Sequence, residues 1–330
     1  MKDPIILSIE TSCDETAICI LKGKNEILSN IVLSQIDIHK LFGGVVPEVA
    51  ARKHIKFMNE ITEKAIKEAN IKLNQIDAIA VTKGPGLVGA LLIGINFAKA
   101  LSLNLNIPLI GVNHLMGHIY ANFLSFHELK PPFVTLLVSG GHTMILDTKD
   151  YMDFEIIGQT KDDAAGEAFD KVARMLDLGY PGGPIIDKLA KVGKKIYKFP
   201  KPLYNKGYDF SFSGLKTSVL YFKKDNPEAK IEDIAASFQE SLIDTLIHKT
   251  TKYARRNNRK KIVVAGGVAA NSNLREKLKN LKDLEIFYPE MKLCTDNAAM
   301  IARAAYEKFI RNDFSDFDLD AIPNLALKQL

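Results

Sequence analysis

The chain has 330 residues, 47% hydrophobic and 25% charged, with a formal net charge of +5 and only three cysteines. That length allows one large α/β unit or two ordinary domains, and an odd, unspaced cysteine count excludes a disulfide-stapled secreted scaffold and points to a reducing, cytoplasmic setting. The mild positive charge permits a nucleic-acid partner without requiring one.

The opening MKDPIILSIETSCDET is not patterned as a signal peptide, because its apolar run is at most five residues and is broken by Glu10, Asp14 and Glu15. Its pattern predicts a strand over IILSI, a small polar turn, and a second strand over AICIL. A helix follows over 47–70, with Met58, Ile61, Ala65 and Ala69 at spacings of three and four. IDAIAVTKGPGLVGALLIGINFAKAL then reads as a strand, a glycine turn and a helix whose glycines suit tight packing. Residues 86–112 are the most apolar region, but Asn96, Lys99, Asn104, Asn106 and Pro108 defeat a membrane span of about twenty apolar residues.

VNHLMGHIYA places His114 and His118 four positions apart, on one face of a helix. The pair is not HExxH, since Leu115 follows His114, and it needs a third donor before it can hold a metal. The best candidate is Asp296 in KLCTDNAAMIARAA, just before an apolar helix, where the competing role is an N-cap.

At 133 the opening pattern returns as FVTLLV, SGGHT and MIL. Residues 162–179 predict a helix that begins on two aspartates and stops at Gly179, with Glu167 and Asp170 one turn apart. Gly182 and Gly183 form a turn with Pro181 and Pro184 that is suited to walling a ligand. Residues 191–214 form an ordered insertion whose lysines are interleaved with Tyr197, Phe199, Tyr204 and Tyr208, and Arg255, Arg256, Arg259, Lys260 and Lys261 form a second basic cluster. Such cations would meet phosphates and such rings would stack on unpaired bases. A long helix carries Ile234, Phe238, Leu242 and Leu246 four apart, and KKIVV then enters AGGVAANSNLREKL, a second strand, glycine turn and helix. GLKT at 214–217 lacks the upstream glycine of a P-loop, and no GxGxxG occurs.

Two hairpin openings, each followed by a strand, glycine turn and helix, predict an α/β fold duplicated into two similar halves facing one cleft. The turns TSCDET and SGGHT would bring backbone N–H groups close to an anion, as the hairpins of actin, hexokinase and Hsp70-type (ASKHA, RNase H-like) ATPases do. The expected first subdomain is 1–112 plus about 300–330. The second is 113–299, carrying the metal and nucleotide-ligand site and a basic insertion near 188–212.

Taken in order, SIETSCDET, FGGVVPEVAARKH, GPGLVGALLIG, VNHLMGH, LLVSGGHT, DDAAGEAFDKVARMLDLGYPGGP, DFSFSGLKT, AGGVAANSNLR and CTDNAAMIA closely resemble the tRNA threonylcarbamoyladenosine transferase family, in its bacterial form. The resemblance runs from residue 5 to about 310. It implies an acyltransferase that moves the threonylcarbamoyl group from threonylcarbamoyl-AMP to the N6 amine of adenosine 37, beside the anticodon, in tRNAs reading codons that begin with A. It carries the family's metal ligands onto His114, His118 and Asp296, for one divalent metal: Fe2+ as first choice, Zn2+ as second. Ligand contacts fall on Leu137, Val138, Ser139, Gly140, Gly141, Asp170, Gly183, Asp187 and Asn271. A catalytic base is left open among Asp14, Glu15 and Asp170. Met116 stands where many relatives have an acid, on the side of the helix away from the histidines.

The implied partners are tRNA, an inactive shorter paralogue (TsaB-like) docking around helix 47–70, and a small P-loop ATPase (TsaE-like), with no membrane; alone, the chain is expected to be nearly inactive. The competing readings are an ATPase or sugar kinase of this fold, which would not need histidine ligands; a metalloprotease-like hydrolase, which lacks its HExxH; and a non-catalytic scaffold, which would lack the triad.

Overall fold

β1 (Ile5–Glu10, IILSIE) is buried along its whole length, as a central strand covered on both faces must be. It pairs antiparallel with β2 (Glu15–Lys22), and β2 with β3 (Glu26–Ser34). On its other side β1 runs parallel to β4 (Ala78–Gly84), and β4 to β5 (Leu109–Asn113), so the sheet order is β3-β2-β1-β4-β5. The structure is a computed structural model and describes residues 3–327. The helices in this first stretch of chain are the single turn α1 (Ile36–His39), α2 (Pro47–Glu68), α3 (Val88–Leu105) and α4 (His114–Ser125).

The second sheet repeats the plan. β6 (Phe133–Val138), β7 (Thr143–Asp150) and β8 (Asp153–Gln159) form an antiparallel meander, and β6 runs parallel to β9 (Lys261–Ala265), which runs parallel to β10 (Glu285–Phe287). Its order, β10-β9-β6-β7-β8, is the first sheet's order read from the opposite edge, with the same strand directions. The duplication expected from the two hairpins is therefore a duplication of topology. The helices here are α5 (Ala165–Met175), α6 (Gly182–Ala190), α7 (Ser213–Asp225), α8 (Ile231–Arg256), α9 (Ser272–Lys279) and the short α10 (Met291–Cys294); α11 (Ala298–Phe309) then returns to the first sheet.

Period-2 alternation along β1 decides what faces what. Ile5, Leu7 and Ile9 join Met58 and Ile61 of α2 and Leu91, Ile95 and Ala98 of α3 in one core. Ser8 points the other way, where its hydroxyl donates to the Ala298 carbonyl of α11 at 2.7 Å. The buried face of α3 explains its apolar composition: Ala90, Leu91, Gly94, Ile95, Ala98 and Ser102 pack inward, although by length and hydropathy alone this helix could cross a membrane. In the second unit Val134, Leu136 and Val138 of β6 pack with Phe169 and Val172 of α5 and with the predicted stripe Ile234, Phe238, Leu242 and Leu246 of α8.

The unit boundaries differ from those expected. The first unit holds the described residues up to Leu129 and from Thr295 onward; the second is 130–294. α4 belongs to the first because it continues from β5 and packs on α11, so the histidines and Asp296 sit in the first unit, whereas the expected range 113–299 had assigned them to the second. The helix expected over 162–179 is shorter. Asp162 and Asp163 precede it and serve other elements: Asp162 accepts the Phe212 N–H at 2.7 Å at the start of α7, and Asp163 pairs with Lys171 and Lys216, each at 2.6 Å.

Candidate metal centre and ligand-binding turns

β5 ends at Asn113, whose side chain accepts the N–H groups of Leu115 and Met116 and so caps α4. His114 therefore begins the helix at a fixed place, and His118 follows one turn later on the same face. Their rings meet edge to face, 4.7 Å between centroids. Asp296 reaches them from the segment before α11: its Oδ1 is 3.6 Å from His114 Nε2 and 3.2 Å from His118 Nε2. One ligand atom from each of the three lies within 4.8 Å of the others.

Asp296 is not the helix cap. That role falls to Asn297, whose side chain accepts the Met300 N–H at 3.1 Å. His118 is 1% exposed, yet neither ring nitrogen has a hydrogen-bond partner, although Asp296 Oδ1 comes to 3.2 Å from Nε2. A buried imidazole without partners is costly unless something else satisfies it. Two imidazoles and a carboxylate converging on one point, with an orphaned nitrogen among them, fit a divalent cation.

The surrounding charge agrees with that reading. Glu15 is pushed up by burial and then by the charges of Asp296 and Asp14. Burial alone would raise Asp296, but His114 and His118 outweigh it and bring the carboxyl down to about 2. Burial opposes protonation of His114, yet Asp296 and Glu10 prevail and raise it to about 9. Glu10 was not among the residues expected at the site. It ends β1 on the same face as Ser8, and its Oε2 lies 3.1 Å from His114 Nδ1. The only signal in the sequence was a carboxylate closing an otherwise apolar strand.

The turn carrying Asp14 and Glu15 is clamped from two sides. His54 of α2 bonds the Thr16 hydroxyl at 2.8 Å and the Cys13 carbonyl at 2.9 Å. The GPG turn supplies the other clamp: Leu87 N–H donates to the Ser12 carbonyl at 2.8 Å, and a Cβ on Gly86 would lie 2.5 Å from that oxygen. The glycines of 84–94 thus hold the turn as well as the helix.

In the second unit, Leu137 and Val138 end β6 and lead into Ser139, Gly140 and Gly141. Ser139 N–H donates to the His142 carbonyl at 2.8 Å, and its own carbonyl accepts Gly166 N–H at 3.2 Å, which seats the turn against the start of α5. A Cβ on Gly140, Gly141 or Gly183 would meet nothing within 4 Å, whereas one on Gly166 would strike the Ser139 carbonyl at 2.6 Å. Asp170 accepts the Gly182 N–H at 2.7 Å; burial raises its pKa, and the Gly182 and Gly183 amides only partly offset this. Asp187 accepts the Ser272 hydroxyl at 2.8 Å, and Asn271 caps α9 through Leu274 N–H while donating to Gln239 at 2.7 Å. The residues expected to touch ligand therefore all lie in this unit, at the end of β6, in the turn after it, within α5 and α6 and at the start of α9, while the expected metal ligands lie in the other.

The insertion is ordered, but its aromatic rings are already engaged. Tyr197 and Phe199 pack on Phe222, Tyr204 stacks on His248, and Tyr208 packs on Tyr253. Lys195 pairs with Glu240 and Lys201 with Asp244. In the second basic cluster Arg255 pairs with Asp283 and Arg259 with Asp147. Tyr197, Tyr204 and Tyr208 remain only half-buried despite these contacts.

Two α/β units of identical strand order define a duplicated actin-like fold, here with a cation-fitting His-His-Asp group. That fold is shared with HypF from T. kodakarensis, at a TM-score of 0.66 and 16% identity over 96% of this chain and about half (49%) of that one. The family model for tRNA N6-adenosine threonylcarbamoyltransferase matches residues 26–303. Relatives of that name from Kosmotoga olearia and Clostridioides difficile are 56% and 54% identical, covering 98% and 100% of this chain and 99% and 100% of their own. The chain belongs to the tRNA N6-adenosine threonylcarbamoyltransferase family. This membership does not favour the ATPase or metalloprotease readings.

Proposed function

We propose that the chain transfers a threonylcarbamoyl group from threonylcarbamoyl-AMP to the N6 amine of adenosine 37 in tRNAs reading codons that begin with A. Family membership over the full chain carries this reading, and the meeting of His114, His118 and Asp296 at one point supports it. In the reaction the amine nitrogen attacks the carbamoyl carbon, the bond from that carbon to the phosphate oxygen breaks, AMP leaves, and the amine loses a proton.

His114, His118 and Asp296 would hold one divalent metal. Two imidazoles and a carboxylate suit Fe2+ first and Zn2+ second. Such an ion supplies Lewis-acid polarisation of the carbonyl and neutralises phosphate charge. Ser139, Gly140 and Gly141, with open space above both glycines, would let backbone N–H groups approach the phosphate or the threonine carboxylate. Leu137, Val138, Asp170, Gly183, Asp187 and Asn271 complete the ligand contacts. Asp170 and Asn271 would act chiefly by holding the starts of α6 and α9, since their polar atoms are already bonded there. The acceptor is a weakly nucleophilic aryl amine, so positioning supplies much of the rate. Of the proposed bases, Glu15 lies beside Asp296 and Asp14, whose charges raise its pKa. Asp14 and Asp170 are the alternatives.

A TsaB-like paralogue seated on α2 would bear, through His54, on the turn that carries Asp14 and Glu15. With a TsaE-like ATPase it would make up the working set, in the cytoplasm. The test is label from radioactive threonine fixed on unmodified tRNA, with threonylcarbamoyl-AMP and both partners supplied. Wild type should fix label and His114→Ala should not; equal labelling by the two proteins would remove the histidines from the chemistry.

A further inference from the structure

We infer that Glu10 is a positioning residue that holds the His114 ring by Nδ1, so that Nε2 is the nitrogen left for a cation. The inference rests on the metal reading of the triad.

Glu10 is fully buried at the end of β1, and its two oxygens face three groups. Thr82 donates its hydroxyl to Oε2 at 2.7 Å, Ser12 donates its backbone N–H to Oε1 at 2.5 Å, and His114 Nδ1 lies 3.1 Å from Oε2. Strand register produces this meeting: Ser8 pairs with Ala80, so Glu10 and Thr82, two residues further along parallel strands, share a face and a level. An ionised carboxylate only accepts hydrogen bonds, and Thr82 and Ser12 already donate to it. Nδ1 of His114 is therefore the nitrogen that donates to Glu10, and Nε2, turned toward Asp296, is the one that would be left for a cation. Ser12 Oγ, 3.1 Å from the same Nδ1, shares that N–H as a second acceptor.

No lysine or arginine among the described residues pairs with Glu10; its charge partner is His114. A carboxylate this deep is expensive without a compensating positive charge. A cation on Nε2 supplies that charge through the ring, and a carboxylate behind a ligating histidine fixes its tautomer and raises its basicity. Glutamine has the right shape but the wrong chemistry. Its amide NH2 must point at one of three donors, so Glu10→Gln breaks the pattern while keeping the volume.

The experiment uses the full chain stripped of metal, with Co2+ as the probe. Affinity is read by chelator competition, site geometry by the Co2+ absorption bands, and folding by metal-free melting. Glu10→Gln should remain folded, bind Co2+ about 10- to 100-fold more weakly, and show shifted bands. A folded Glu10→Gln protein with wild-type affinity and bands would overturn the inference. If that variant does not fold, Thr82→Val decides. Weakened Co2+ binding restored in Thr82→Ser supports the inference, and unchanged binding overturns it. Wild type that binds no more Co2+ than His118→Ala would instead overturn the metal reading, and this inference with it.

Discussion

Asn297 caps α11 by accepting the Met300 N–H, which leaves its neighbour Asp296 to lie 3.2 Å from His118 Nε2. Adjacent side chains thus have separable duties. Asn297→Ala should lower stability by about 1 kcal/mol and retain the metal. Asp296→Ala should lose the metal. Paired melting curves and elemental analysis separate the two, and a metal-replete Asp296→Ala would remove it from the ligand set.

The turns of the second unit allow a similar contrast. Gly166→Ala would push a Cβ to 2.6 Å from the Ser139 carbonyl, an overpacking worth about 1–3 kcal/mol. Gly140→Ala meets open space and should leave stability alone while lowering kcat/KM for threonylcarbamoyl-AMP. Wild-type kcat/KM in Gly140→Ala would place the ligand elsewhere.

Lys249, buried within α8, donates to the carbonyls of Leu203, Lys206 and Gly207 at 2.7, 2.9 and 3.2 Å. With Asp233, Ser237, Ser241 and Asp244 it ties the basic insertion to α8. Lys249→Met leaves three acceptors without their donor and should cost about 2 kcal/mol or more. Limited proteolysis should then cut within 191–212 at protease levels that spare wild type.

Glu240 contributes to the acid dependence of the second unit, alongside Asp163 and Asp209. Burial disfavours its charge, but Lys195, Lys277 and Asn273 outweigh it and bring the carboxyl down to about 2 from 4.5. A depressed folded-state pKa means the stabilisation is complete above pH 4.5 and is lost as pH falls toward 2. Glu240→Gln should flatten the melting temperature across that interval, as a pH series would record.

Much of this was legible in the sequence because the signals were local. IILSI–turn–AICIL and FVTLLV–SGGHT–MIL are each a strand, a turn and a strand, and repetition exposed the two halves. His114 and His118 were legible as a pair because helical spacing fixes their shared face; Asp296 needed the fold to separate it from Asn297. Glu10 was not legible. Its partners Thr82 and His114 are 72 and 104 residues away, and only the register of β1 against β4 brings them together. The ring contacts of the insertion were not legible for a related reason: composition shows that Tyr197, Tyr204 and Tyr208 are present, but not that they meet Phe222, His248 and Tyr253.

The most direct measurement is t6A formed on tRNA, quantified by mass spectrometry, for protein stripped of metal and then reloaded with Fe2+ or Zn2+ in the presence of both partners. Activity should vanish on stripping and return on reloading in wild type, but not in His118→Ala. Full activity in the stripped wild-type protein would contradict a metal-dependent transferase built on His114, His118 and Asp296.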